Sequence, residues 1–159
     1  MTDLRGRRAR FGAGGGIIAP GKNRTTPAMA RIIVIDDDQT TLAVARTLLE
    51  RLGHSVVAVG SGTEGVTVYL EQGADLVLTD IFMPDQDGLE TMRRLKSLAP
   101  GVPVVCMSAG PSRLSDTTQV RDTMLRFAQE AGADASLTKP LDAGALKRVV
   151  DAVLAGRPA

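Results

Sequence analysis

Six polar residues of this chain each stand at the end of an apolar run. Asp36, Asp37 and Asp38 follow IIVI at 32–35, Asp80 follows LVLT, Ser108 follows VPVVCM at 102–107, and Lys139 follows Leu137 and Thr138. Clustered carboxylates repel one another, and their pKa values rise unless a cation neutralises them. A hard divalent ion with oxygen ligands meets that need, and Mg²⁺ suits best because it accepts carboxylates together with waters and a phosphate oxygen. A lysine ammonium and a serine hydroxyl are suited to phosphoryl oxygens. The set reads as a phosphoryl-transfer site in which positioning and electrostatics do most of the catalysis. A carboxylate can itself be the acceptor, forming an acyl phosphate.

Such a site needs elements that bring distant residues together. Short apolar runs alternate with amphipathic segments from residue 31 onward. Arg31–Asp36 is a β-branched run of the kind buried on both faces of a sheet. Leu42, Ala45, Leu48, Leu49 and Leu52 then recur at three- and four-residue spacing, and Gly53 ends that helix. Ser55–Val59 predicts a second strand, and Ser61 predicts the cap of a helix reaching Gln72. Asp75–Thr79 predicts strand three, 89–98 a third helix, and Val102–Met107 strand four. Val120, Met124, Ala128 and Ala131 mark a fourth helix, Ala135–Thr138 a fifth strand, and Asp142 caps a last helix to Leu154. Five β-then-α units predict an α/β, doubly wound parallel sheet with helices on both faces. In such sheets ligands sit beyond the carboxyl ends of the strands, where all six polar residues fall.

The bulk properties agree. A chain of 159 residues suits one domain. With 43% hydrophobic residues, 3% aromatics and no Trp, its core must be aliphatic. Cys106 is the sole cysteine, which excludes an internal disulfide and points to a reducing, cytoplasmic setting. No apolar run approaches the ~18 residues that span a bilayer. Residues 1–29 hold six Arg and Lys against one Asp, with GAGGG and two prolines, while the remainder holds thirteen basic against seventeen acidic residues. This basic, Gly-rich leader is expected to be a disordered, solvated tail rather than a contact for nucleic acid or acidic lipid. A start at Met29 would open directly into the first strand.

Four pieces carry a resemblance: IIVIDDD at 32–38, TDIFMPDQDGLE at 79–90, MSAG at 107–110 and LTKP at 137–140. In order and spacing they resemble the response-regulator receiver family, over residues 30–157. The resemblance implies a flavodoxin-like sheet of strand order 2-1-3-4-5. It implies Asp80 as phosphoacceptor, and Asp36, Asp37, Asp80 and the backbone carbonyl of Phe82 as the Mg²⁺ ligands. Ser108, Ala109 and Lys139 become the phosphate-binding and switch residues, with Lys139 positioned by a cis bond to Pro140. It further implies a two-component or phosphorelay role, with a sensor histidine kinase or phosphotransfer protein as donor. Output would pass to a protein target through the face made by the fourth and fifth helices and strand five, with a weak homodimer possible. No direct nucleic-acid or membrane binding is expected, and no catalysis beyond the domain's own phosphorylation and dephosphorylation.

Three features depart from the family pattern. Ser136 stands where an aromatic is usual, the segment from Ser108 to Lys139 is long, with AGPSRLSD as an extended loop, and Leu141 replaces a common Phe. The first two weaken the usual switching motion but leave phosphorylation untouched. Neither Phe82 nor Gly110 offers a polar group to orient attacking water, so a long-lived phospho-Asp80 is expected.

The remaining polar residues have plainer readings. Asp38 is the cap of the first helix, Asp85, Asp87 and Gly88 are turn and cap chemistry, and Met83–Pro84 shapes the loop. His54 is structural, and Cys106 is a small core hydrophobe. Two other functions stay open. One is a pseudo-receiver, a binding module that signals without phosphate. The other is a haloacid-dehalogenase-type phosphatase, whose opening motif IIVIDDDQT also resembles, with Asp36 as nucleophile; a late acidic pair for its metal is missing, since only Asp142 and Asp151 follow Lys139.

Overall fold

The structure, a computed structural model, describes residues 29–83, 88–109, 117–157 and 159. Five strands, β1 (Arg31–Ile35), β2 (Ser55–Val59), β3 (Leu76–Asp80), β4 (Val104–Ala109) and β5 (Ala135–Lys139), alternate with five helices. The helices are α1 (Gln39–Arg51), α2 (Gly62–Gln72), α3 (Gly88–Leu98), α4 (Thr117–Glu130) and α5 (Ala143–Leu154). All strand pairs are parallel, in the order β2-β1-β3-β4-β5.

Strand periodicity sorts the aliphatic residues into two cores. Ile32 and Val34 of β1 join Leu76, Leu78, Val105 and Met107 on one face, beneath Leu42, Ala45 and Leu49 of α1 and Leu146, Val150 and Val153 of α5. Ile33 and Ile35 join Val77, Val104 and Cys106 on the other, beneath Val66 of α2, Met92 and Leu95 of α3, and Ala128 of α4. Central strands covered on both faces carry continuous apolar runs because each successive residue enters a different core.

Among the described residues, three helices begin on side-chain caps. Asp38 accepts from the Thr40 amide at 3.0 Å, Ser61 from Glu64 at 3.2 Å, and Asp142 from Ala145 at 2.8 Å, each replacing a partner that a first-turn N–H lacks. The first helix ends at Arg51 with Leu52 as its C-cap, and Gly53 follows at φ 91°, a left-handed conformation that costs glycine little.

Strand β4 departs from the reading of 102–107. The Val102 amide donates to Ala99 in a turn, while the Pro103 carbonyl accepts from Val77. Proline has no N–H for the ladder, so β4 starts at Val104 and runs on through Ser108 to Ala109. The leader read as disordered, apart from Met29, lies outside the described residues, as do Pro84, Asp85, Asp87 and residues 110–116 of the loop read as extended, whose first residue, Ala109, belongs to β4. Among the described residues no helix is long and apolar enough to cross a membrane.

Candidate functional site

The chain leaves β1 for the β2 side of the sheet and returns to build β3 on the other side of β1, which opens a crevice beyond the carboxyl ends of these two strands. Asp36 follows β1 into it, fully buried, and Asp80 ends β3 with 4% exposure. Carboxylate oxygens of Asp36, Asp37 and Asp80 come within 4.8 Å of one another, Asp37 being exposed at the rim. Lys139 ends the edge strand β5, and its Nζ lies 2.9 Å from both Asp36 Oδ2 and Asp80 Oδ2. Ser108 pairs in register with Thr138, and Ala109 with Lys139. Among the described residues, the buried Ser108 hydroxyl has no hydrogen-bond partner. The Lys139–Pro140 peptide bond is cis.

The remaining acceptors of these carboxylates are held by backbone. Asp36 Oδ1 accepts the Asp38 amide at 2.9 Å, and Asp80 Oδ1 accepts the Phe82 amide at 3.2 Å. Burial raises the Asp36 pKa above the ordinary 3.8, and the charge of Asp80 adds to it, against the bonds from Asp38 and Lys139. Burial acts to lower the Lys139 ammonium pKa, but the bonds to Asp36 and Asp80 outweigh it and raise the value overall. Asp38 stands apart: the Thr41 hydroxyl and the Thr40 amide lower its pKa, consistent with a cap rather than a member of the acidic cluster. Three carboxylates converging on one point, one of them destabilised as an anion by burial, match the donor set of Mg²⁺.

His54 is buried and its Nδ1 accepts the Ala30 amide at 3.2 Å, on the side of the sheet away from the crevice. The Cys106 thiol is buried beside the Ala135 carbonyl, and burial pushes its pKa up to about 11. Ser136 is exposed on β5 and Phe82 is 46% exposed at the crevice. Two relationships went unread in the sequence. Lys96 bonds both Asp134 and the Val102 carbonyl at 2.8 Å, tying α3 to the start of β4, and no periodicity marks a pair 38 residues apart. The Thr79 hydroxyl donates to the Asp80 carbonyl at 3.1 Å; its only signal was a polar residue after the aliphatic run Leu76–Leu78.

The response regulator receiver domain family matches residues 32–151. PilH of Pseudomonas aeruginosa is 34% identical over 130 residues, which cover 80% of this chain and all of PilH. The transcriptional regulatory protein GlrR of Escherichia coli is 32% identical, over 79% of this chain but 26% of that longer protein. Among solved structures, a CheY-like response regulator receiver domain protein from Methanospirillum hungatei superposes with TM-score 0.69 at 27% identity, covering 79% of this chain and 94% of that one. A LuxR-family response regulator from Aurantimonas superposes with TM-score 0.70 at 28% identity, covering 82% and 89%. Crevice, sheet order and sequence agree: the chain belongs to the response-regulator receiver domain family.

Proposed function

We propose that the domain accepts a phosphoryl group on Asp80 from a phosphohistidine of a sensor kinase or phosphotransfer protein. The observation that carries this reading is the Lys139 ammonium held 2.9 Å from both Asp80 and Asp36. Asp36, Asp37 and Asp80, with the Phe82 carbonyl, would hold Mg²⁺, which when bound neutralises the carboxylates and the incoming phosphoryl oxygens. The chain's own residues do the rest. The Phe82 amide holds Asp80 Oδ1, leaving Oδ2 on the Lys139 side as the attacking oxygen. Its lone pair forms the new O–P bond as the P–N bond to the donor histidine breaks, and the imidazole keeps that electron pair. Lys139 then pairs with the transferred group, and the Ser108 hydroxyl, beside Ala109 and without a partner among the described residues, donates to one of its oxygens.

Signalling to a protein target through the α4-β5-α5 face fits an open groove of about 880 Å³ between β5 and α5; direct nucleic-acid binding is not part of this reading. Ser136, Pro140, Ala145, Val149 and Ala152 line it, the small Ser136 side chain leaving the space open. A cytoplasmic location and a weak homodimer belong to the same reading. The test is incorporation of label from acetyl phosphate, with and without Mg²⁺. The unaltered protein should label only with Mg²⁺, and Asp80→Asn should not label. Equal labelling of Asp80→Asn would overturn the proposal, and label on Asp36 would favour the phosphatase.

A further inference from the structure

Gly88 opens α3, and its backbone is not among the left-handed glycines of the described chain, so its conformation is one any residue adopts. Helices favour alanine over glycine at such positions. What excludes a side chain there is space. A Cβ on Gly88 would overlap the Asp80 carbonyl oxygen and lie 2.8 Å from Ile81 Cα and 2.9 Å from the Asp80 carbonyl carbon. All three are backbone atoms, which cannot rotate aside. The same peptide is held from its other sides, the Thr79 hydroxyl donating to the Asp80 carbonyl at 3.1 Å and the Ile81 amide donating to the Met107 carbonyl at 3.0 Å, while the Gly88 amide donates to the carbonyl of the next peptide, that of Ile81, at 3.1 Å. The peptide joining Asp80 to Ile81 thus lies in a seat made by Thr79, β4 and the first residue of α3. We propose that Gly88 is a positioning residue: its bare α-carbon lets α3 press on this peptide, and the seat aims the Asp80 carboxylate at Lys139 and Asp36. The inference rests on Asp80 being the phosphoacceptor only for its functional consequence, since the aim of the carboxylate can be read directly.

The experiment compares Gly88→Ala with Gly101→Ala, a control whose Cβ meets nothing within 4 Å. The first readout is the carboxyl-carbon NMR resonance of Asp80 in the full-length protein without Mg²⁺; the others are Mg²⁺ titration and labelling from acetyl phosphate. With the thermal midpoint close to the control's, Gly88→Ala should shift the Asp80 resonance and weaken Mg²⁺ binding several-fold. The maximal labelling rate should fall on the order of tenfold or more with the KM for acetyl phosphate little changed, the pattern of a misplaced reacting atom. A folded Gly88→Ala protein with the Asp80 resonance unmoved and Mg²⁺ affinity within about twofold of the control overturns the proposal. Where Gly88→Ala does not fold, Thr79→Val decides, since it keeps the buried shape and removes the bond to the Asp80 carbonyl. A moved Asp80 resonance supports the seat, and an unmoved one rejects it. Failure of the unaltered protein to label would sink the functional reading alone, because the resonance comparison still stands.

Discussion

The Lys139 ammonium sits 2.9 Å from Asp80 Oδ2, across 59 residues of sequence, and it is the same distance from Asp36 Oδ2. One cation therefore serves two buried anions. Removing one partner of a buried pair is costly because the other charge stays behind unsolvated. Lys139→Ala should lower stability in Mg²⁺-free buffer by roughly 3 kcal/mol, the lower end for such a loss. Added Mg²⁺ should then raise its melting temperature by more than that of the unaltered protein, since the ion replaces the missing charge. Equal gains in both proteins would contradict this account of the site.

Ser108 gives the opposite prediction for stability. Its hydroxyl is buried without a partner among the described residues, a condition that costs about 1–3 kcal/mol. Ser108→Ala should leave the unphosphorylated protein as stable as before or slightly more so, while lowering the affinity for beryllofluoride, a phosphoryl mimic, measured by NMR. A marked loss of stability on chemical denaturation would mean that the hydroxyl already has a role in the free domain.

Phe82, nearly half exposed beside the acceptor, has no group that could orient water. Phe82→Asn should speed loss of phosphate from phospho-Asp80 on the order of tenfold, because an oriented nucleophile regains proximity. Following phosphate release after donor removal checks it, and identical decay in the two proteins would refute it.

Cys106 reports on the core at alkaline pH. Its folded pKa of about 11 lies above the ordinary 9.0 because burial disfavours the thiolate. The neutral thiol therefore contributes stability that is complete below pH 9 and lost as pH rises through 11. At roughly 1.4 kcal/mol per pH unit, that is about 2–3 kcal/mol over the interval. Urea midpoints measured from pH 8 to 11 should fall less steeply in Cys106→Ala than in the unaltered protein. Parallel slopes would show that the thiol does not titrate with unfolding.

Much of this was legible along the chain because each signal is local. Alternation of apolar runs with three- and four-residue stripes fixes element type, and Asp38, Ser61 and Asp142 mark helix starts by capping their own first turns. Strand termini were less legible. Val102 is apolar and buried like the strand residues, yet the pairing of β4 depends on which amides Pro103 leaves available, a matter of neighbours rather than of pattern.

By itself the amino-acid order determined that this is a parallel α/β domain with acidic, hydroxyl and ammonium groups at its strand exits, because hydrophobic period and residue chemistry are properties of short segments. Only the tertiary structure decided that Lys139 bridges Asp36 and Asp80, that Ser108 lacks a partner among the described residues, and that Gly88 abuts the Asp80 backbone. Those facts depend on which strands stand side by side and how closely α3 approaches β3. Such distances arise from packing between segments far apart in sequence, and no local pattern encodes them.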